Sequence, residues 1–133
     1  MLNYIDEQRI KSVVTTKDLI KNFEIPGRES VQVLTGLNLE IFQGEFVGIM
    51  GPSGSGKSTL VSILSTLENL SAGEVKIHGT LLNDLKTNDL LNIRRTHSAI
   101  ILQNFSLIDY LTATENVKFP FILRGVNHKE ADG

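Results

Sequence analysis

Apolar and polar positions change period along the chain, and each change marks an element. Residues 9–19 carry Val13-Val14-Thr15-Thr16, a β-branched run that predicts a strand, with Asp18-Leu19-Ile20-Lys21-Asn22-Phe23 following it. Residues 24–30 are polar around Pro26-Gly27 and predict a turn or loop. Val31, Val33, Leu37, Leu39 and Ile41 recur with a period of two, which predicts an antiparallel strand pair with one buried face. Gln43-Gly44 turns the chain into Glu45-Phe46-Val47-Gly48-Ile49-Met50, short and apolar, read as a buried strand. Leu60, Ile63, Leu64 and Leu67 then fall at helical spacing. Ser71-Ala72-Gly73 reads as a break, and Glu74–His78 alternates as a strand with one wet face, closed by Gly79. Residues 83–96 are helical in part, with Leu90, Leu91 and Ile93, and Ala99–Leu102 is an apolar β-run ending at polar Gln103. Thr112 and Glu115 form a capping box before a helix bearing Val117, Phe119 and Ile122. Pro120 should kink that helix or end its first segment, Gly125 should stop it, and residues 127–133 resemble the start of another. A β-rich first part followed by β–α units predicts a parallel core sheet with an antiparallel sheet beside it.

Between the strand at 45–50 and the helix that follows lies Gly51-Pro52-Ser53-Gly54-Ser55-Gly56-Lys57-Ser58-Thr59, which fits G-x-x-x-x-G-K-[ST]. The motif requires a strand before it and a helix after it, and the flanks supply both, which weighs against a glycine-rich turn with an incidental lysine. Glycines let successive backbone N–H groups close on an anion. The helix opening near Gly56 adds free N–H donors and the positive end of its dipole. Lys57 is a flexible cation able to reach β- and γ-phosphates, and the Ser58 hydroxyl can ligate Mg²⁺. Charge-assisted hydrogen bonds contribute about 1.5–3 kcal/mol each, so a handful brings a triphosphate to micromolar affinity.

Composition narrows the alternatives. At 133 residues and 41% hydrophobic, the chain can bury one real core. A net charge of −2 gives no electrostatic case for nucleic-acid binding. With no cysteine, disulfides and thiolate metal sites are excluded. Residues 1–10 carry Asp6 and Glu7 and no apolar stretch of signal-peptide type, and runs such as Ala99–Leu102 are far too short to span a bilayer. A membrane role has to come through a partner.

Other residues are weaker candidates. Gln103, at the carboxyl end of an expected strand, would lie on the ligand-binding edge of a parallel sheet, where a neutral amide can ligate Mg²⁺ or orient water. Phe23 precedes a polar loop and could stack on a purine, against the commoner reading of a core or rim ring. His78, His97 and His128 lack metal-ligand spacing, Asp84, Asp89 and Asp109 form no acid pair, and Arg94-Arg95 is expected on a solvated helix face. Phosphoryl-transfer machines of this type also place an acidic Mg²⁺ partner after a second apolar strand, and no strongly apolar run of four here is followed directly by Asp or Glu.

From about Thr16 onward the sequence resembles the ATP-binding subunit of ABC transporters, and within them the lipoprotein-release, macrolide-export and antimicrobial-peptide-export branch. Val33-Leu34-Thr35-Gly36-Leu37-Asn38-Leu39-Glu40-Ile41 and the block Gly44–Leu60 carry most of the resemblance, with Gln103-Asn104-Phe105 and Leu111-Thr112-Ala113-Thr114-Glu115-Asn116-Val117 in matching order further on. The resemblance implies an α/β fold: a P-loop NTPase core sheet with an N-terminal antiparallel β subdomain, here incomplete, as in a truncated ATP-binding cassette. Residues 1–133 would form the N-terminal part of that domain, with the phosphate loop at 51–59 and a glutamine lid loop near 103. It implies ATP and Mg²⁺ as cofactors, Lys57 on phosphates, Ser58 and Gln103 on the metal, Phe23 in the place of an adenine-facing tyrosine, and residues 104–120 facing a permease. Partners would be a second cassette and an integral membrane permease, at the inner face of the cell membrane. Ser98-Ala99 stands where the family more usually has Ile-Gly, and no residues match its Leu-Ser-Gly-Gly-Gln signature, second acidic strand or switch histidine. The expectation is an ATPase subunit whose 133 residues bind Mg-ATP weakly without turnover; the alternatives are a non-catalytic fragment or a partner-dependent binding module, with a small kinase a further one.

Overall fold

The structure, a computed structural model, describes residues 11–103, 106–123 and 125. The chain forms two compact units, Met1–Ser98 and Ala99–Gly133.

The first unit is built on a four-stranded sheet. Its strands are β1 (Ser12–Phe23), β2 (Val31–Phe42), β3 (Ala72–Ile77) and β4 (Thr80–Leu81), in the order β2-β1-β3-β4, with each neighbouring pair antiparallel. The β-branched run Val13–Thr16 sits in the twice-paired central strand, where branched side chains fit the pleat. The predicted strand pair at 31–41 is one strand, and its antiparallel partner is β1; Thr35-Gly36 shifts the register instead of turning the chain. β1 carries a bulge between Thr16 and Leu19. There Asp18 adopts φ 46°, a conformation that aspartate tolerates, and its N–H donates to Asn38 Oδ1 at 2.9 Å. Gly73 packs on that bulge: a Cβ would lie 2.6 Å from the Lys17 carbonyl oxygen, so only glycine lets β3 approach. The residues predicted to break the chain thus open a strand.

Two helices cover the sheet, α1 (Lys57–Leu64) and α2 (Thr87–Thr96). Leu60 and Ile63 of α1 and Ile93 of α2 join Leu19, Leu34, Val75, Ile77 and Leu82 in one core cluster. Each such aliphatic side chain stabilises the fold by about 1.5–3 kcal/mol. The wet face predicted for β3 is present, with Glu74 and Lys76 exposed and Val75 and Ile77 buried. His78 (φ 48°) and Gly79 (φ 81°) make the two-residue turn into β4, both with the positive φ that mirror-image hairpin turns require.

The end of α1 departs from the usual chemistry. Thr66 N–H donates to Ile63 O at 2.9 Å and Leu67 N–H to Ser62 O at 2.8 Å, the pair of bonds that closes a Schellman turn. Glycine normally holds its left-handed position; here Thr66 does, buried, with φ 58°. A β-branched residue there costs about 1–2 kcal/mol. Arg94 from α2 offsets this, donating from Nη2 to Thr66 O at 2.7 Å and from Nε to Thr66 Oγ1 at 3.1 Å. The expectation of a solvated Arg94 is therefore corrected: the Thr66 oxygens draw it inward.

The apolar run 45–50 is not a strand, and Phe46 and Met50 are almost wholly exposed, at 103% and 93%. A strand is held by its ladder, and among the described residues of its unit none pairs with this one. The same holds in the second unit for 99–102, where Ile101 is exposed. The α/β class and the antiparallel sheet agree with the sequence reading, whereas parallel pairing is not formed among the described residues.

In the second unit α3 (Ala113–Leu123) begins with the predicted capping box: Thr112 N–H and Oγ1 donate to Glu115 Oε2 at 2.8 and 2.7 Å, and Glu115 N–H returns to Thr112 Oγ1 at 3.3 Å. These bonds, from the backbone N–H first and the hydroxyl second, hold the Glu115 carboxyl below its ordinary pKa. Asn116 ties the preceding loop to the helix, accepting from Ile108 N–H at 2.8 Å and donating to the Ile108 and Leu111 carbonyls at 3.1 Å each. Of the two outcomes expected at Pro120, the helix does not end there but continues to Leu123. Gly125 follows with φ 83°. The expected start of a helix at 127–133 lies outside the described residues. Among the described residues no helix is long and apolar enough to cross a membrane.

Candidate functional site

The glycine-rich stretch folds into a loop whose last residue is the first cap of α1. Gly56 occupies the N-cap with φ 85° and ψ 5°, and Leu60 N–H closes the first helical bond on Gly56 O at 2.8 Å. Gly56 is buried against β2: a Cβ would stand 2.9 Å from Leu34 Cδ2 and 3.0 Å from Val33 O. Positive φ and close approach both demand glycine, and together they pin the start of the helix to the sheet. The earlier part of the loop turns on Ser55 N–H to Pro52 O at 3.3 Å.

Lys57 folds across this loop. Its ammonium donates to Gly51 O at 2.9 Å and Pro52 O at 2.7 Å, with Ser55 Oγ at 3.4 Å. Beside it opens a cleft of about 340 Å³, lined by Val33 of β2 and by residues 53–59. That volume is in the range of small-ligand pockets. The first amides of α1 have no partner within the helix, and the helix dipole adds partial positive charge at the same end. Ser58 is exposed on the first turn. Flexible ammonium, helix-start amides and a nearby hydroxyl are a donor set suited to a polyphosphate with a hard cation, so the residues fit Mg-ATP chemically.

The other sequence candidates stand elsewhere. Phe23, at the end of β1, does not line the cleft, and its ring carries the Lys21 ammonium 4.7 Å from its centroid. Gln103 lies in the second unit at an exposed turn. His78 and His97 stack with centroids 4.5 Å apart, but among the described residues no group of His, Asp, Glu or Cys has the makings of a metal centre. His128 and residues 104–105 lie outside the described residues.

Sequence reasoning missed the residues that meet the two ends of α1. Val33 lines the cleft, and its place in the alternating run was its only signal. Lys21 is buried within β1 and donates to Glu68 Oε1 at 2.7 Å and Asn69 O at 2.8 Å, just past α1. The hydrogen bond from Lys21 holds the Glu68 carboxyl below its ordinary pKa. Neither Lys21 nor Arg94 has a sequence pattern that points to its partner.

A left-handed glycine cap, an ammonium folded over the loop and a cleft at the helix start define a P-loop in a protein of the α/β class. Comparison with known proteins narrows this: the chain belongs to the ABC transporter family, whose profile matches residues 34–132. It is 43% identical over 112 residues to the ABC transporter ATP-binding protein MJ0796 of Methanocaldococcus jannaschii, spanning 84% of this chain and 47% of that one. It is 42% identical over 101 residues to the bacitracin export ATP-binding protein BceA of Halalkalibacterium halodurans, spanning 76% of this chain and 40% of that one. It is 37% identical over 124 residues to the macrolide export ATP-binding/permease protein MacB of Psychrobacter arcticus, spanning 93% of this chain and 18% of that one. A dimeric structure of MJ0796 in a post-hydrolysis state with ADP and Pi superposes with a TM-score of 0.82 at 41% identity, covering 89% of this chain and 52% of that one. The chain thus spans about half the length of the first two curated relatives or less.

Proposed function

We propose that this chain is part of the ATP-binding subunit of an ABC transporter that drives export or release through a membrane permease. The observation that carries the reading is the loop Gly51–Thr59, with Lys57 folded over it at the start of α1. In this reading Gly51, Pro52, Ser53, Gly54, Ser55, Gly56 and Thr59 wrap the phosphates with main-chain groups. Lys57 leaves the Gly51 and Pro52 carbonyls to neutralise β- and γ-phosphate oxygens, which exchanges neutral acceptors for charged ones. Ser58 would hold Mg²⁺, which supplies Lewis-acid charge to the phosphates when bound. Phe23 would offer one ring face to adenine, the Lys21 ammonium lying over the ring.

Two relatives support the wider role. MJ0796 has been seen as a dimer with ADP and Pi, and MacB joins ATP-binding and permease functions in one protein. By the same reasoning this chain works beside a second cassette and a permease at the inner face of the membrane, and hydrolysis belongs to the whole protein. Binding is expected of these residues without turnover, since the signature segment and second acidic motif are not in this sequence.

The test is titration calorimetry with Mg-ATP on the wild type and on Lys57→Ala. Loss of the ammonium should weaken affinity at least tenfold, about 1.4 kcal/mol, with the circular dichroism spectrum unchanged. Equal affinity in the two proteins contradicts the assignment.

A further inference from the structure

We propose that Arg94 is a positioning residue for the phosphate site, acting on the opposite end of the helix that carries the site. This inference rests on the nucleotide reading of the loop and adds a residue to it. α1 has no basic residue in its own last turn. Two cations reach the turn that follows it from other elements: Arg94 from α2, with both bonds on Thr66, and Lys21 from β1, on Glu68 and Asn69. They meet the negative end of the helix dipole, where cations are favoured.

Thr66 makes the need for Arg94 specific. It is buried, β-branched and left-handed, in a place where glycine would sit without strain. The planar guanidinium takes the carbonyl and the hydroxyl of this one residue together, which fixes the turn in a way that a point charge does not. Without that fork Thr66 can relax toward negative φ, and the Thr66 and Leu67 bonds to Ile63 and Ser62 then loosen. α1 has eight residues and is about 12 Å long. A tilt of about 5° at its end moves the loop amides by about 1 Å, enough to spoil hydrogen bonds that weaken beyond about 3.2 Å.

The experiment measures Mg-ATP dissociation constants for wild type, Arg94→Met, Arg94→Lys, Thr66→Gly and the double variant Arg94→Met/Thr66→Gly. Each is read at a temperature where circular dichroism shows it fully folded. Arg94→Met should bind at least about threefold more weakly, Arg94→Lys should fall between it and wild type, and the double variant should return close to the Thr66→Gly value. Glycine holds the left-handed turn unaided, so rescue separates positioning from simple loss of positive charge, which the double variant shares. A merely structural role lowers the melting temperature and leaves affinity below the melt unchanged. Wild-type affinity in Arg94→Met, or no rescue in the double variant, overturns the inference. If Arg94→Met does not fold, Arg94→Lys and the double variant carry the same comparison. Wild-type protein that does not bind Mg-ATP, or binds it as Lys57→Ala does, overturns the nucleotide reading and this inference with it; normal binding lost in Lys57→Ala but kept in Arg94→Met overturns this inference alone.

Discussion

Single residues in this chain carry more than their chemical type suggests, because their backbone conformations are unusual. Gly56 combines φ 85° with an approach to Val33 and Leu34 that leaves no room for a Cβ. Gly56→Ala should therefore cost about 2–4 kcal/mol, strain and overpacking together, in a urea melt; a loss below about 0.5 kcal/mol, the size of an ordinary surface change, contradicts the packing described. Glu68 is a partly exposed carboxylate whose pKa is lowered mainly by the hydrogen bond from Lys21. A group lowered on folding adds stability at pH values above its unfolded pKa, about 4.3 for glutamate. That contribution fades as the pH falls through the lowered folded value. The stability gap between wild type and Glu68→Gln should then be present at pH 7 and shrink steadily below about pH 4; a gap that is the same at pH 7 and pH 3 contradicts the ion pair as its source.

At the scale of elements, local signals in the sequence were sufficient where one element satisfies itself. The capping box of α3 forms with the bonds its residues imply. Thr112→Ala should cost α3 about 1 kcal/mol, seen as roughly fivefold faster hydrogen exchange at amides of residues 114–116; unchanged exchange contradicts a working cap. The alternation of β3, the helix after the loop and the turn at 24–30 were equally legible, since each follows from spacing or turn chemistry. Signals failed where the outcome depends on a neighbour far along the chain. Ser71-Ala72-Gly73 reads as a break until the bulge at Asp18 is set beside it. Val31–Ile41 reads as two strands until β1 shows that one partner spans both halves. Arg94 reads as solvated until Thr66, 28 residues earlier, is found in need of a donor.

Across the whole molecule, the loop at 51–56 and the helix that follows it were legible from nine consecutive residues, because the glycines and lysine act through the local backbone, whereas the strand expected before the loop is not formed. The apolar runs at 45–50 and 99–102 show the converse. Their composition suits buried strands, yet Phe46, Met50 and Ile101 are exposed, and composition without a pairing partner does not make a sheet. The chain spans about half of its relative MJ0796, and the sheet that forms among the described residues is the antiparallel one. The central claim concerns the loop, and amide-resolved NMR during titration with Mg-ATP tests it most directly. The largest shift changes should fall on the backbone N–H groups of residues 53–59, with the Lys57 side chain following. Saturating Mg-ATP that leaves those amides unmoved, or moves others in their place, contradicts a phosphate site at the start of α1.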